Sequence, residues 1–178
     1  MSEAVDYQIR QTQRMMAEIL HMFGGLRADD SLWTACVSGD ILVIKAALDR
    51  GADINGAMNQ DGDTLLTRSI MSGQTELACW LLDNGADPER SLKNGRTPLI
   101  TAAGCGNLRV VERLIDLGVN LDQQMGNGST ALMYAVSKNQ LLVARRLVQA
   151  GASKEIRDAD GWSINDFANR FGVDISNL

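Results

Sequence analysis

Side chains that could perform covalent or acid–base chemistry are few and scattered in this sequence. The chain has one histidine, His21, so a Cys–His or Ser–His–Asp arrangement would have to recruit that single imidazole from near the N-terminus. The cysteines show neither C-x-x-C spacing nor a zinc-ligand pattern; they are Cys36, Cys79 and Cys105. The sequence therefore predicts no catalytic site, no metal site and no disulfide.

Two kinds of short motif have the appearance of ligand-binding loops. The segment GCGN begins at Gly104, but a phosphate-binding loop needs a preceding strand and a following Lys-Ser/Thr pair. The aspartate-rich turns NQDGD and RDADG lack the twelve-residue calcium pattern that ends in glutamate. We interpret all of them as tight turns, and we expect no cofactor.

Composition limits the protein class. Hydrophobic residues make up 45% of the 178 residues, aromatic residues only 4%, and there are two prolines, which favours a mostly helical protein with an aliphatic core. The net charge of −5 argues against a general nucleic-acid binder. Since no apolar run approaches the roughly 20 residues of a membrane span, we expect a protein that does not enter the membrane. Because nothing in the spacing of the cysteines demands a disulfide, we expect an intracellular, cytoplasmic protein.

Two sets of small residues recur with a period close to 33. The first set of glycines is spaced by 34, 33 and 33 residues, and the second set by 33 throughout. A fixed period in two independent sets is typical of a repeat array. The positions are Gly51, Gly85, Gly118 and Gly151, then Gly62, Gly95, Gly128 and Gly161, each of the latter followed two residues later by Thr64, Thr97, Thr130 or Ser163.

The third unit, NGRTPLITAAGCGNLRVVERLIDLGVN, shows how one repeat is built. Thr97 is suited to cap a first helix, and Pro98 suits its first position. Gly106 is expected to end this helix in a left-handed conformation, and Asn107 to begin a second helix. Each unit is therefore predicted to be a helix, a tight turn, a second helix and a protruding loop. Such a pair buries its apolar face only by stacking on the next pair.

This pattern resembles the ankyrin repeat family, through GRTPL, AA, GN and VVERLIDLG in the third unit. The resemblance covers residues 28–178 and implies an all-α solenoid of four repeats, at 28–58, 59–91, 92–124 and 125–157. A partial capping repeat would follow at 158–178. The family's histidine after T-P-L is replaced by Thr67, Ile100 and Met133, so its usual hydrogen bond to the threonine hydroxyl is expected to be missing and the helix starts less rigid.

Residues 1–27 carry apolar side chains at helical spacing, followed by Gly24 and Gly25. We interpret this segment as an amphipathic helix that caps the first repeat. Its alternative is a helix that binds a partner or associates with a second copy of itself. Self-association through this helix would make the protein a structural, self-assembling one. We expect a monomer or a weak oligomer. The array is expected to fill the chain, with no attached catalytic or membrane domain.

The resemblance implies a non-catalytic module that binds another protein on a concave side formed by loop tips and first helices, as an adaptor, inhibitor or scaffold. The negative net charge would direct it towards a partner with a basic patch. We expect Trp33 and Trp80 to belong to the core instead. The candidate partner-binding residues are Asp61, Asp63, Arg68, Met71, Lys93, Arg96, Tyr134, Lys138, Trp162 and Arg170.

Four of these candidates are favoured because aromatic, arginine and methionine side chains are enriched at interfaces. Each has an alternative explanation. Trp162 could shield the capping repeat, and Tyr134 could fill a groove between neighbouring first helices. Met71 could be a packing residue, and Arg96 an ordinary solvated turn residue.

Overall fold

A computed structural model describes residues 28–176 and residue 178. The helix expected over residues 1–27 lies outside these residues. The described part of the chain is helical, without strands, and its helices come in pairs. They are α1 (Ala28–Ser38), α2 (Ile41–Leu48), α3 (Leu65–Met71), α4 (Thr75–Asp83), α5 (Pro98–Cys105), α6 (Leu108–Asp116), α7 (Ala131–Ser137), α8 (Leu141–Gln149) and α9 (Ile164–Phe171).

The odd-numbered helices are the first helices of the repeats, and four of them begin at hydroxyl caps, namely α3, α5, α7 and α9. The side chains of Thr64, Thr97, Thr130 and Ser163 each accept a hydrogen bond from the backbone N–H three residues later. This confirms the role that the spacing predicts, because a capping oxygen satisfies one of the unpaired amides of the first turn. Each capping residue therefore sets the start of a first helix.

The turn between the two helices of each repeat needs positive φ at one residue. Gly106 has φ of 70° and ends α5 in the left-handed conformation. Asn139 stands at the corresponding place in the fourth repeat with φ of 57°. Asparagine tolerates this region better than other residues with a Cβ atom, so the substitution preserves the turn.

The expectation of a weaker helix start is wrong for the second repeat. Thr67 Oγ1 accepts a hydrogen bond from the backbone N–H of Thr64 at 2.8 Å, and Thr64 Oγ1 accepts one from the N–H of Thr67 at 3.2 Å. This reciprocal capping box is fully buried. The hydroxyl of Thr67 thus supplies a second hydrogen bond where the histidine is missing.

The first helices stack in the order α1, α3, α5, α7, α9, and each also packs against the second helix of its own repeat where there is one. Their facing surfaces form one core of leucine, isoleucine, valine and alanine side chains. Small residues such as Ala102 and Ala103, both fully buried, keep the first helices thin enough to lie close together. Stacking thus completes the core that no single pair could form.

The loops between repeats end in tight turns that we call fingers, at residues 59–63, 92–96, 125–129 and 158–162. Neighbouring fingers are joined by backbone hydrogen bonds from Lys93 N–H to Asp61 (3.0 Å) and from Gly126 N–H to Asn94 (2.8 Å), with a third of the same kind between the last two. We call the surface formed by the fingers and the exposed side chains of the first helices the finger face. Its spacing is fixed by these bonds.

Candidate functional site

Arg68 is held on the finger face by an aromatic ring and a carboxylate. Its guanidinium carbon lies 3.5 Å from the centroid of the Trp33 ring, and Nη2 donates to Asp63 Oδ2 at 2.5 Å. Asn59 donates to the same carboxylate oxygen at 2.9 Å. Because Asp63 is only 3% exposed, it supports Arg68 from below. The expectation that Asp63 contacts a partner directly is therefore corrected.

Beside Arg68 lies an open groove of about 320 Å³. Five candidates from two repeats line this one cleft: Asp61, Asp63, Arg68, Met71 and Lys93. Met71 is 41% exposed and is therefore available as a contact residue as well as a packing one. The groove is a recess between the fingers at 59–63 and 92–96.

Tyr134 joins the third repeat to the fourth. The guanidinium carbon of Arg96, on the finger at 92–96, lies 5.0 Å from the centroid of the Tyr134 ring. Lys138 Nζ lies 5.8 Å from the same centroid. The ring itself packs on α5 at Gly104, where a Cβ atom would overlap Cδ1 and Cε1 of the ring. Tyr134 therefore fills the groove between first helices and also presents a face to two cations.

Trp162 and Arg170 form a third cluster in the last repeat. The guanidinium carbon of Arg170 lies 5.0 Å from the Trp162 ring, which contacts Phe167 edge-on at 5.8 Å. Phe167 stacks in turn on Phe171, which is 49% exposed. Nearby, hydrogen bonds from the Ser163 hydroxyl and amide hold the pKa of Asp166 below its usual value. Trp162 thus contacts Phe167, which packs against the core, and its ring also lies against Arg170.

The ten candidates thus fall into three groups on the finger face, around Arg68, Tyr134 and Trp162. Asp63 is the one buried residue among them. Sequence reasoning missed Trp33, which packs beneath Arg68 and not in the core. The sequence also did not indicate that the Tyr134 ring occupies the space where a side chain at Gly104 would lie. Trp80 packs against the core, as the sequence predicts.

Cations on the two sides of the molecule have different partners. Three of the four arginines on the second helices pair with carboxylates of the preceding repeat, in the pairs Arg109–Glu76, Arg113–Asp83 and Arg146–Glu112, while Arg145 is in no ion pair with a described residue. On the finger face Arg68 alone has a carboxylate partner among the described residues. The side chains of Lys93, Arg96, Lys138 and Arg170 form no ion pair or hydrogen bond with any other residue that the structure describes.

Two further features bear on the chemistry of the described region. Within residues 28–176 and 178, no group of three or more histidine, cysteine, aspartate or glutamate side chains is placed to hold a metal ion. The same residues contain no helix of the length and apolarity that a membrane crossing requires.

Stacked helix pairs with a ladder of fingers define a helical repeat solenoid. Two family models, described as ankyrin repeats (3 copies) and ankyrin repeats (many copies), match residues 87–158 and 32–82. The chain belongs to the ankyrin repeat family, whose repeats generally mediate protein–protein interaction and are typically non-catalytic.

Relatives that match the chain do so over short stretches. A 2-5A-dependent ribonuclease of Mus musculus is 39% identical over 74 residues, which is 42% of this chain and 10% of the ribonuclease. A probable 26S proteasome regulatory subunit p28 of Saccharomyces cerevisiae is 36% identical over 90 residues, 47% of this chain and 39% of that protein. Potassium channel AKT3 of Oryza sativa subsp. japonica is 34% identical over 68 residues, 38% of this chain and 8% of the channel. The chain therefore spans less than half of each of these relatives.

Proposed function

We propose that this chain is a non-catalytic recognition module that binds another protein through its finger face, as an adaptor, inhibitor or scaffold. The observation that carries this proposal is the cluster of Arg96, Tyr134 and Lys138. Aromatic and arginine side chains dominate the energetics of protein interfaces. Here Arg96, Tyr134 and Lys138 lie on stacked repeats, and the two cations form no ion pair with other described residues.

The site is pre-organised in a way that favours binding. Packing of Tyr134 against Gly104 fixes the ring, and the ring limits the positions that Arg96 can take. A side chain already restricted in the free protein loses less conformational entropy on binding. A reducing compartment such as the cytoplasm suits the three free thiols.

Affinity capture with the purified chain, followed by mass spectrometry, tests the proposal. The test variant is the triple substitution Arg96→Ala, Tyr134→Ala and Trp162→Ala. Its matched control also removes one arginine and two large apolar side chains, but from the second helices: Leu42→Ala, Leu142→Ala and Arg145→Ala. Leu42 and Leu142 are 65% and 70% exposed, so their removal leaves the core intact.

We expect the control to retain the captured protein and the test variant to lose it. Thermal unfolding of both variants establishes that each is folded at the temperature of capture. A folded test variant that retains the same protein as the wild type would show that the finger face is not the binding surface.

A further inference from the structure

We propose that the finger face of the third and fourth repeats binds an acidic, extended segment of a protein partner. This inference rests on the proposed function and adds the chemistry of the partner. It departs from the partner with a basic patch that the net charge of the whole chain favours. The local distribution of charge leads to it, in three steps.

The first step is the placement of acidic residues on the fingers. The fingers at 59–63 and 158–162 each contain two aspartates, whereas those at 92–96 and 125–129 contain none. The finger at 92–96 instead brings Lys93 and Arg96 to the face, and Lys138 follows directly after α7. The middle of the finger face is therefore locally cationic, although the chain as a whole carries a net charge of −5.

The second step is that these cations lack carboxylate partners. Three arginines of the second helices are paired across repeats, while Lys93, Arg96 and Lys138 pair with no acid of the described chain. In addition, Nε of Arg96 is buried without a hydrogen-bond acceptor. The guanidinium is thus incompletely hydrogen-bonded within the described chain, and a carboxylate is the group that pairs best with a guanidinium.

The third step is that two of these cations lie over the same aromatic ring, that of Tyr134. Arg96 and Lys138 lie over one ring, at 5.0 and 5.8 Å from its centroid. Alternate side chains of an extended segment lie on one side of the backbone, about 7 Å apart. Two carboxylates at alternate positions can therefore meet the two cations together. The aspartates of the fingers on either side would repel a longer acidic run, which limits the site to the third and fourth repeats.

Labelled short peptides test this inference by fluorescence anisotropy. The probe alternates glutamate and threonine, and its matched peptide carries glutamine in place of each glutamate. We expect the glutamate peptide to bind more tightly than the glutamine peptide, with an affinity that falls as salt increases. The variant Lys138→Glu should weaken binding of the glutamate peptide about tenfold or more. Lys45→Glu, the same change on the exposed surface of α2, should alter it less than about twofold.

Three results would overturn the inference. Equal binding of the two peptides would show that carboxylates are not recognised. An equal loss of affinity for the glutamate peptide in Lys138→Glu and Lys45→Glu would show that only the net charge of the protein matters. Tighter binding of a single-stranded oligo-dT than of the glutamate peptide, lost in Lys138→Glu, would assign the site to nucleic acid. If the captured protein still depends on Arg96, Tyr134 and Trp162 while the two peptides bind equally, the proposed function stands and only the acidic partner is rejected.

Discussion

The ring of Tyr134 lies directly on the backbone of Gly104, one first helix away. Replacing Gly104 by alanine would place a methyl group where the ring now packs, so the ring must move away from Arg96 and Lys138. Loss of this platform removes an interaction of about 1 kcal/mol, which corresponds to roughly fivefold weaker partner binding. Alanine has the higher helix propensity, so the variant should remain folded.

Titration of the Gly104→Ala variant with the captured partner measures the change in affinity, and thermal unfolding measures its stability. Unchanged affinity with a displaced ring would contradict the role given to Tyr134.

Asp63 and Asp61 are neighbours on one finger with different roles. Asp63 is buried and paired with Arg68, whose side chain is 17% exposed, whereas Asp61 is exposed. Asp63→Ala leaves a largely buried guanidinium without its counter-ion and should lower the free energy of unfolding by about 2 kcal/mol. Asp61→Ala should change it by less than about 0.5 kcal/mol. Urea denaturation of both variants measures the difference; equal stabilities would show that the Asp63–Arg68 pair does not stabilise the fold.

Thr67 replaces a histidine-mediated hydrogen bond with its own hydroxyl. Thr67→Val keeps the shape of the side chain but leaves the buried amide of Thr64 without its acceptor, so we expect a loss of about 1–2 kcal/mol of stability. Thr67→Ser retains the hydroxyl and serves as the control, with a smaller loss. Denaturant midpoints separate the two. A valine variant as stable as the serine variant would mean that the capping box is dispensable.

The three thiols should react in the order of their exposure. Cys105 is exposed and Cys79 is half-buried, while Cys36 is buried with its Sγ 3.7 Å from the carbonyl oxygen of Leu65. Burial raises the pKa of both Cys36 and Cys79, so less of each is present as the reactive thiolate at neutral pH. Alkylation followed by peptide mass spectrometry should find Cys105 modified first and Cys36 last. In denaturant all three should react alike; equal rates in the native protein would show that the first repeat opens readily.

The regular part of the fold was predictable because it depends on short-range chemistry. Hydroxyl caps at Thr64 and Thr97, and positive φ at Gly106 and Asn139, are backbone requirements that residue type reveals directly. The 33-residue period then places the repeats on one another. The all-α class followed from these features, and the resemblance of motifs such as GRTPL and VVERLIDLG indicated the family.

Individual roles on the finger face were not predictable in the same way, because they depend on contacts between repeats. Asp63 reads as a loop residue, and only its contact with Arg68 shows that it is structural. The sequence places Trp33 one repeat before Arg68, with nothing local to indicate that the two side chains stack. Likewise, net charge does not reveal that three arginines of the second helices are paired while Arg96 and Lys138 are not.

Hydrogen–deuterium exchange with the captured partner, read by mass spectrometry, tests the central claim most directly. If the partner binds the finger face, its addition should slow exchange most in residues 92–105 and 125–138, which contain the middle fingers and their first helices. The second helices α6 and α8 should change less. Protection concentrated in α6 and α8, with the middle fingers unaffected, would contradict the account.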